Sequence, residues 1–470
     1  TSHCFVFLGV NFFQYKTNIA SFFNGTYSYK GIYTFNGTFR YEGTNKMGKS
    51  RQARWLPTWN ISGAWNVHEE KFFQPAQDIM SHLSLKMSYS LTADRGPSSV
   101  TNSLAVIQAY NPWRPNGSVT ESGLQIYDLE NAQLTYEKKH EFNIGADMGF
   151  FDNRINLGVD WYKRNNFDLI GDVTTQGIGG SIIKQGNVAE MSSRGTEISL
   201  STRNIKTKDF SWTTDFIYSH IHNRVTKLET SKRVIDLISG SGFTLEGYPV
   251  RSLFSLNFVG LNEVGIPQVI NEDGNKVTYD INFQERVNFD HLVYSGSIDP
   301  TDLGSFGNIF QYKNLKLNLF VTYSFGNVVR LDPYFNAVYS DMDAMPKEFK
   351  NRWMVPGDEN ITDIPAILSR RQKNLQSSLS YAYNAYNYST ARVAKGDFIR
   401  MKEISLNYDF PNSLISKTKL SNLSLKLQAT NLFLIYADKK LNGQDPEFVN
   451  TGGVAIPVPR QFTLTLRLGI

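Results

Sequence analysis

The stretch His82-Leu83-Ser84-Leu85-Lys86-Met87-Ser88-Tyr89-Ser90-Leu91-Thr92 alternates without a break, with Leu83, Leu85, Met87, Tyr89 and Leu91 on one side and polar residues on the other. Side chains of extended backbone reverse direction at every residue, so this is a strand with one oily and one polar face. The same signature recurs along the chain. Phe142, Ile144, Ala146, Met148 and Phe150 oppose Glu141, Asn143, Gly145, Asp147 and Gly149, and Ile155, Leu157, Val159 and Trp161 oppose Arg154, Asn156, Gly158 and Asp160. Further on, Leu315, Leu317, Leu319, Val321, Tyr323 and Phe325 form a row opposite Lys316, Asn318, Thr322 and Ser324, interrupted only by Phe320. Leu423, Leu425, Leu427 and Ala429 oppose Ser424, Lys426, Gln428 and Thr430, and the chain closes on Phe462, Leu464, Leu466, Leu468 and Ile470. No amphipathic helical segment matches these runs in length.

Two architectures use such strands. A soluble sandwich has strands of about 5 to 6 residues with oily faces turned inward. A transmembrane barrel needs tilted strands of about 9 to 11 residues with oily faces toward lipid, and alternates short inner turns with long outer loops. Both length and loop asymmetry predict the barrel. With the final strand ending in the periplasm, the short turns at 151–153, 204–209, 312–314 and 410–420 lie inside, and the long segments 93–135, 166–194, 223–302, 326–395 and 432–460 lie outside. The fold expected over 1–470 is all-β, a transmembrane antiparallel β-barrel portion with about 14 strands, the first at 3–12. If Leu85, Leu157, Leu317, Leu425 and Leu466 met in a dry interior, that expectation would fail. Trp161, Tyr162, Trp212, Tyr323 and Tyr408 stand near strand ends, as interfacial girdles require.

Composition agrees. Of 470 residues 41% are apolar and 13% aromatic, but only 19% are charged, below the roughly 25% of soluble proteins. A net charge of +5, evenly spread, gives no nucleic-acid signature. The lone Cys4 excludes an internal disulfide framework. No apolar run approaches the roughly 18 residues of a spanning helix. Residues 1–10 carry no basic region or cleavage-like site, so the chain reads as mature, truncated or a fragment.

Several stretches go further. Asn131-Ala132-Gln133-Leu134-Thr135-Tyr136-Glu137, then Phe142-Asn143-Ile144-Gly145-Ala146-Asp147, Phe150-Phe151-Asp152-Asn153-Arg154-Ile155 and Tyr162-Lys163-Arg164 form an ordered series. Asn187-Val188-Ala189-Glu190-Met191 with Arg194-Gly195-Thr196-Glu197-Ile198 continues it, followed by Trp353 with Pro356-Gly357-Asp358, the run Gly396-Asp397-Phe398-Ile399-Arg400-Met401-Lys402-Glu403-Ile404-Ser405-Leu406-Asn407-Tyr408, Asn431-Leu432 and Asp445-Pro446-Glu447. In that order they resemble the signatures of the SusC/RagA-like TonB-dependent transporters of the Bacteroidota outer membrane, with Tyr136 where Trp is common. The resemblance implies a barrel of about 22 strands with a plugged lumen, a TonB-box, contact with the TonB complex, a SusD-like surface lipoprotein over the outer mouth, and a pair of such transporter–lipoprotein units. Plug and TonB-box are not found in this sequence, so it reads as the C-terminal barrel portion, unable to work as an importer by itself because open sheet edges in lipid leave backbone groups unsatisfied.

No catalytic constellation emerges, so no enzyme, cofactor or metal is expected. G-x-S-x-G, H-E-x-x-H and the P-loop are absent, and His68-Glu69-Glu70 lacks a second histidine. Gly177-Ile178-Gly179-Gly180 reads as a flexible turn, and Glu272-Asp273-Gly274-Asn275 as a hairpin turn rather than a calcium loop. The candidate ligand residues are aromatic. Tyr381, Tyr383, Tyr386 and Tyr388 cluster with Asn384 and Asn387 ahead of 396–409; a Tyr face suits a sugar ring and Asn amides suit its hydroxyls, while packing or lid contact would use the same residues. Trp113 in 93–135 is a further candidate. Arg154, Asp160, Lys316 and Lys426 are expected on the lumen side, because a basic residue facing lipid at midplane costs about 2 to 4 kcal/mol. The resulting expectation is an outer-membrane importer of oligosaccharides, with an oligopeptide importer and a passive porin-like barrel as alternatives.

Overall fold

The computed structural model describes residues 17–45, 47–96, 105–111, 122–177, 183–229, 231–334, 347–367, 369–416, 420–449 and 459–469. Thirteen antiparallel strands among them form one sheet, neighbouring in chain order: β1 (Asn18–Tyr29), β2 (Tyr33–Thr44), β3 (Trp55–Asn66), β4 (Met80–Asp94), β5 (Glu137–Phe150), β6 (Ile155–Thr174), β7 (Ile183–Lys206), β8 (Phe210–Leu228), β9 (Asp302–Tyr312), β10 (Leu315–Phe325), β11 (Phe398–Asp409), β12 (Asn422–Ala437) and β13 (Gln461–Gly469). The strand expected at 3–12 lies outside the described residues.

Cross-strand register carries one polar face through the whole sheet. Asn24 pairs with Thr38, Thr38 with Asn60, Asn60 with Ser90 and Ser90 with Glu141. Asp160 lies opposite Glu197, Ser201 opposite Asp215, and Lys316 opposite Asn407, which pairs in turn with Lys426 and then Thr465. The other face is oily and uncovered: Ile61 is 63% exposed, Leu427 53% and Leu464 64%. None of Leu85, Leu157, Leu317, Leu425 or Leu466 is buried, so among the described residues no second layer packs on this face as a sandwich would demand. The sheet is a large antiparallel barrel wall.

At one end the strands turn tightly. Phe151, Asp152 and Asn153 all adopt left-handed backbone in the three-residue turn before Arg154, and Lys313 does so between β9 and β10. At the other end the long connections build a crown with its own cores. Val234, Ile238, Leu256, Val269, Ile281 and Ala385 form one core, Leu379, Ala382 and Tyr383 a second, and Val329, Leu331, Ala394 and Leu441 a third. Short helices α1 (Val234–Ile238) and α2 (Leu379–Asn387) sit there. No helix is long and apolar enough to cross a membrane among the described residues.

Three sequence expectations need adjustment. The segment 166–194 is mostly strand, since β6 runs on to Thr174 and β7 starts at Ile183, extending past the length a bilayer requires. Tyr162 belongs to the polar face, opposite Trp161, and is buried at 4% exposure over Gly195; it is a packing residue and not part of an interfacial girdle. The tyrosine cluster, expected on a loop, is largely helical. Glu272-Asp273-Gly274-Asn275 is indeed a hairpin turn, with Asn271 Oδ1 accepting from the amides of Asp273 and Asn275.

Candidate functional site

Several charges of the polar face meet as pairs. Lys86 pairs with Asp147, and Glu141 is held between Lys139 and Arg164. Asp160 and Lys316 lie on this face, and Lys426 sits 3.8 Å from Glu403. Arg154 falls in the turn before β6 and spends its guanidinium on the carbonyls of Arg203 (2.9 Å) and Asn204 (2.5 Å). Its role there is to tie two tight turns together.

In the crown, α2 turns its tyrosines different ways. Leu379, Ala382, Tyr383 and Tyr386 share the buried side at helical spacing. Tyr383 is 4% exposed and donates to Ala366 O (2.6 Å); Tyr386 is 2% exposed and stacks on Tyr334. Asn387 is buried and its Oδ1 accepts from the Tyr334 amide. These three are packing residues, so the aromatic platform read from sequence does not form. Tyr381 is exposed and stacks on Phe283, Asn384 is exposed, and Tyr388 is half-buried with its carbonyl bonded to the Leu256 amide. Trp113 lies outside the described residues.

The residues that organise the crown are arginines that sequence reading passed over. Arg330 is 5% exposed and has no carboxylate partner among the described residues; it donates to the carbonyls of Ser389 (2.7 Å), Phe254 (2.7 Å) and Ile238 (3.3 Å) and to Ser255 Oγ (3.1 Å). Burial pulls its pKa down to about 9, which leaves it charged at neutral pH. Arg392 bonds Glu348 (2.9 Å) and the Asp332 carbonyl (2.6 Å) while lying over the Tyr334 ring. Burial also raises the Tyr386 phenol. An isolated Arg in the apolar run Val328-Val329-Arg330-Leu331 was the available signal.

Beside these lies a cleft of about 790 Å³, between the β10–β11 connection and the turn 439–442. Leu331, Tyr334 and Tyr386 form its apolar part; Glu348, Arg352, Asp358, Asp363, Arg392, Lys439 and Lys440 bring charge of both signs. No group of three or more potential metal ligands occurs among the described residues.

The motif stretches turn out to be contact partners of one another. Asn187 brackets Thr135, accepting from its amide and donating to its carbonyl, both at 2.9 Å, and Asn131 donates to Gln185 O. Tyr136 is fully buried and donates to Arg54 O. Asp358 accepts from the amides of Met354 and Val355, and Trp353 Nε1 donates to Glu359. Arg400 on β11 pairs with Asp445 and, at 2.9 Å, with Glu447, so the β12–β13 connection is strapped onto the polar face.

Comparison with known proteins fits this architecture. The chain is 27% identical over 504 residues to a TonB-dependent receptor of Formosa agariphila, covering 94% of this chain and 45% of the relative. The TonB-dependent receptor SusC of Bacteroides thetaiotaomicron is 25% identical over 442 residues, covering 90% of this chain and 40% of SusC. The solved RagAB peptide importer in its closed-closed state aligns with a TM-score of 0.76 at 25% identity, over 96% of this chain and 47% of that one. No protein-family profile matches. The sheet thus resembles a portion of the barrel of TonB-dependent transporters, and the likeness is to the SusC/RagA-like ones among them. The chain spans less than half the length of the curated relatives it matches.

Proposed function

We propose that the chain is the barrel portion of a TonB-dependent importer in the outer membrane of a Gram-negative cell, taking up an oligomeric nutrient without making or breaking bonds in it. The observation that carries this is the thirteen-stranded sheet with one predominantly polar face and one bare oily face. In lipid its two edges, β1 and β13, would leave backbone groups unsatisfied at several kcal/mol each, so closure calls for further strands, and a plug for coupling to the TonB complex. A SusD-like lipoprotein is the partner proposed at the crown, with pairs of transporter–lipoprotein units as the assembly.

The crown supports one cargo chemistry ahead of the other. Burial of Tyr383, Tyr386 and Asn387 takes these three from the surface that favoured a neutral oligosaccharide and leaves Tyr381 and Asn384 exposed. The charged cleft favours an oligomer that bears charge, an oligopeptide ahead of a neutral glycan. In cells carrying the full-length gene, uptake of labelled oligopeptides should be saturable and should stop when the inner membrane is de-energised. Uptake that continues without that energy would instead identify a passive pore, and saturable uptake of neutral oligosaccharides alone would reverse the cargo assignment.

A further inference from the structure

The crown cleft holds more cationic than anionic groups once internal pairing is counted. Glu348 is spent on Arg392, and Asp358 accepts from two backbone amides. Those amides leave Asp358 its charge, so Asp358 and Asp363 are the two carboxylates that stand against Arg352, Lys439 and Lys440. Arg352 and the turn that bears the two lysines are held in place. Arg352 lies over the Phe349 ring and donates to the Phe349 carbonyl at 3.3 Å. Asp438 caps the turn bearing both lysines, accepting from the Lys440 amide, and its other oxygen accepts from the Lys395 amide just ahead of β11. Lys439 is exposed and forms no ion pair among the described residues. Planar guanidinium and ammonium donors beside an apolar wall of Leu331, Tyr334 and Tyr386 suit an anionic group at the end of an otherwise less polar chain.

The geometry points to a carboxylate-binding subsite in this cleft, formed by Arg352, Lys439 and Lys440, that takes an acidic terminus or acidic unit of the imported oligomer. It rests on the importer reading and adds a specificity element to it. A peptide C-terminus and a uronate unit of a glycan share this chemistry, and the two arms of the test separate them.

The full-length transporter, purified with its lipoprotein in nanodiscs, is titrated by fluorescence anisotropy with a labelled short peptide bearing a free C-terminal carboxylate and with the same peptide amidated. A second arm uses a labelled oligogalacturonate and its methyl ester. In one arm the acid form should bind about tenfold more tightly or better, as expected for a charge-assisted bond, and added salt should shrink the difference. R352Q and the exposed pair K439Q/K440Q should each bring the acid form down to the affinity of its neutral counterpart. Equal affinity of acid and neutral forms in both arms overturns the subsite, as does undiminished discrimination in these variants. Heat-resistant mobility of the barrel on gels verifies that each variant is folded. Energy dependence of uptake, measured in parallel, reports on the importer reading separately, so the subsite can fail while that reading stands.

Discussion

Replacing Arg330 with methionine should loosen the crown while leaving the sheet intact. The side chain makes four hydrogen bonds from a charged donor, to three carbonyls on separate segments and one hydroxyl. Three of the acceptors share the two protons of Nη2, so the set amounts to about three full bonds, and at about 2.5 to 3 kcal/mol each for a charged donor they contribute roughly 8 kcal/mol. Against this stands the cost of burying an unpaired guanidinium. A pKa brought from 12.5 to about 9 corresponds to roughly 5 kcal/mol at about 1.4 kcal/mol per pKa unit. The difference, about 3 kcal/mol, is what R330M should remove, leaving Ser389 O, Phe254 O and Ile238 O without their donor. A local opening equilibrium would then rise about a hundredfold. Hydrogen–deuterium exchange of the full-length protein reads this directly: peptides covering 250–256 and 386–395 should exchange about a hundredfold faster, with β5 to β8 unchanged. Unchanged or slower exchange in the crown would mean that desolvation outweighs the hydrogen bonds, as happens for some buried charges, and would refute the reasoning.

On the oily face, Leu427→Lys should cost about 2 to 4 kcal/mol if it meets the bilayer midplane, whereas Gln428→Lys on the polar face should be tolerated; the amount of full-length protein assembled in outer-membrane fractions distinguishes them, and equal loss in both would contradict the facing. Gly195→Val should drive a new Cβ into the Tyr162 ring, which is itself covered by Arg164 at 3.9 Å. Overpacking of this kind costs about 1 to 3 kcal/mol, so the temperature at which the barrel loses its compact gel mobility should fall by several degrees, and an unchanged temperature would show that the ring moves freely. Arg233 beside Asp236 holds that carboxyl below the usual aspartate range. Its contribution to α1 is therefore complete above the unfolded pKa of about 4 and is lost as pH falls through the lower folded value. Exchange at 234–238 should be flat from neutral pH to about pH 4 and rise below it, and Asp236→Asn should abolish that rise.

The strands were legible because their pattern is local: Leu83 to Leu91 declares its faces within a single run, and lipid on one side keeps the alternation clean. Past the membrane that pressure ends, which is why the outer parts of β6 and β7, with Asp168 in left-handed backbone, read as loop. Tyr162 was misplaced although its position, one residue after Trp161, already put it on the opposite face. Helix α2 was readable in principle, since Leu379, Ala382, Tyr383 and Tyr386 repeat at helical spacing, but Tyr381-x-Tyr383 and Tyr386-x-Tyr388 imitate the two-residue period of extended chain. Arg330 was beyond reach, because its partners lie 59 to 92 residues away in sequence. The strap of Asp445 and Glu447 on Arg400 was visible as two motifs, never as one contact.

The pairing of strand with strand limits how such a wall can change. Side chains along a strand obey an odd–even rule, so one residue gained or lost in the middle of β5 would swap water-facing and lipid-facing positions for everything beyond it, unless a bulge restores the count. Shifts of this kind in the sheet fall near strand ends, as at Met80/His82 and Val225/Lys227, or in the outer parts of β6, around Asp168, and of β11, around Lys402. Loops of the crown obey no such parity and can be lengthened, shortened or exchanged by any number of residues. New cargo preferences can therefore be grafted between the strands as cassettes, while the strands themselves admit substitution but almost no change of length.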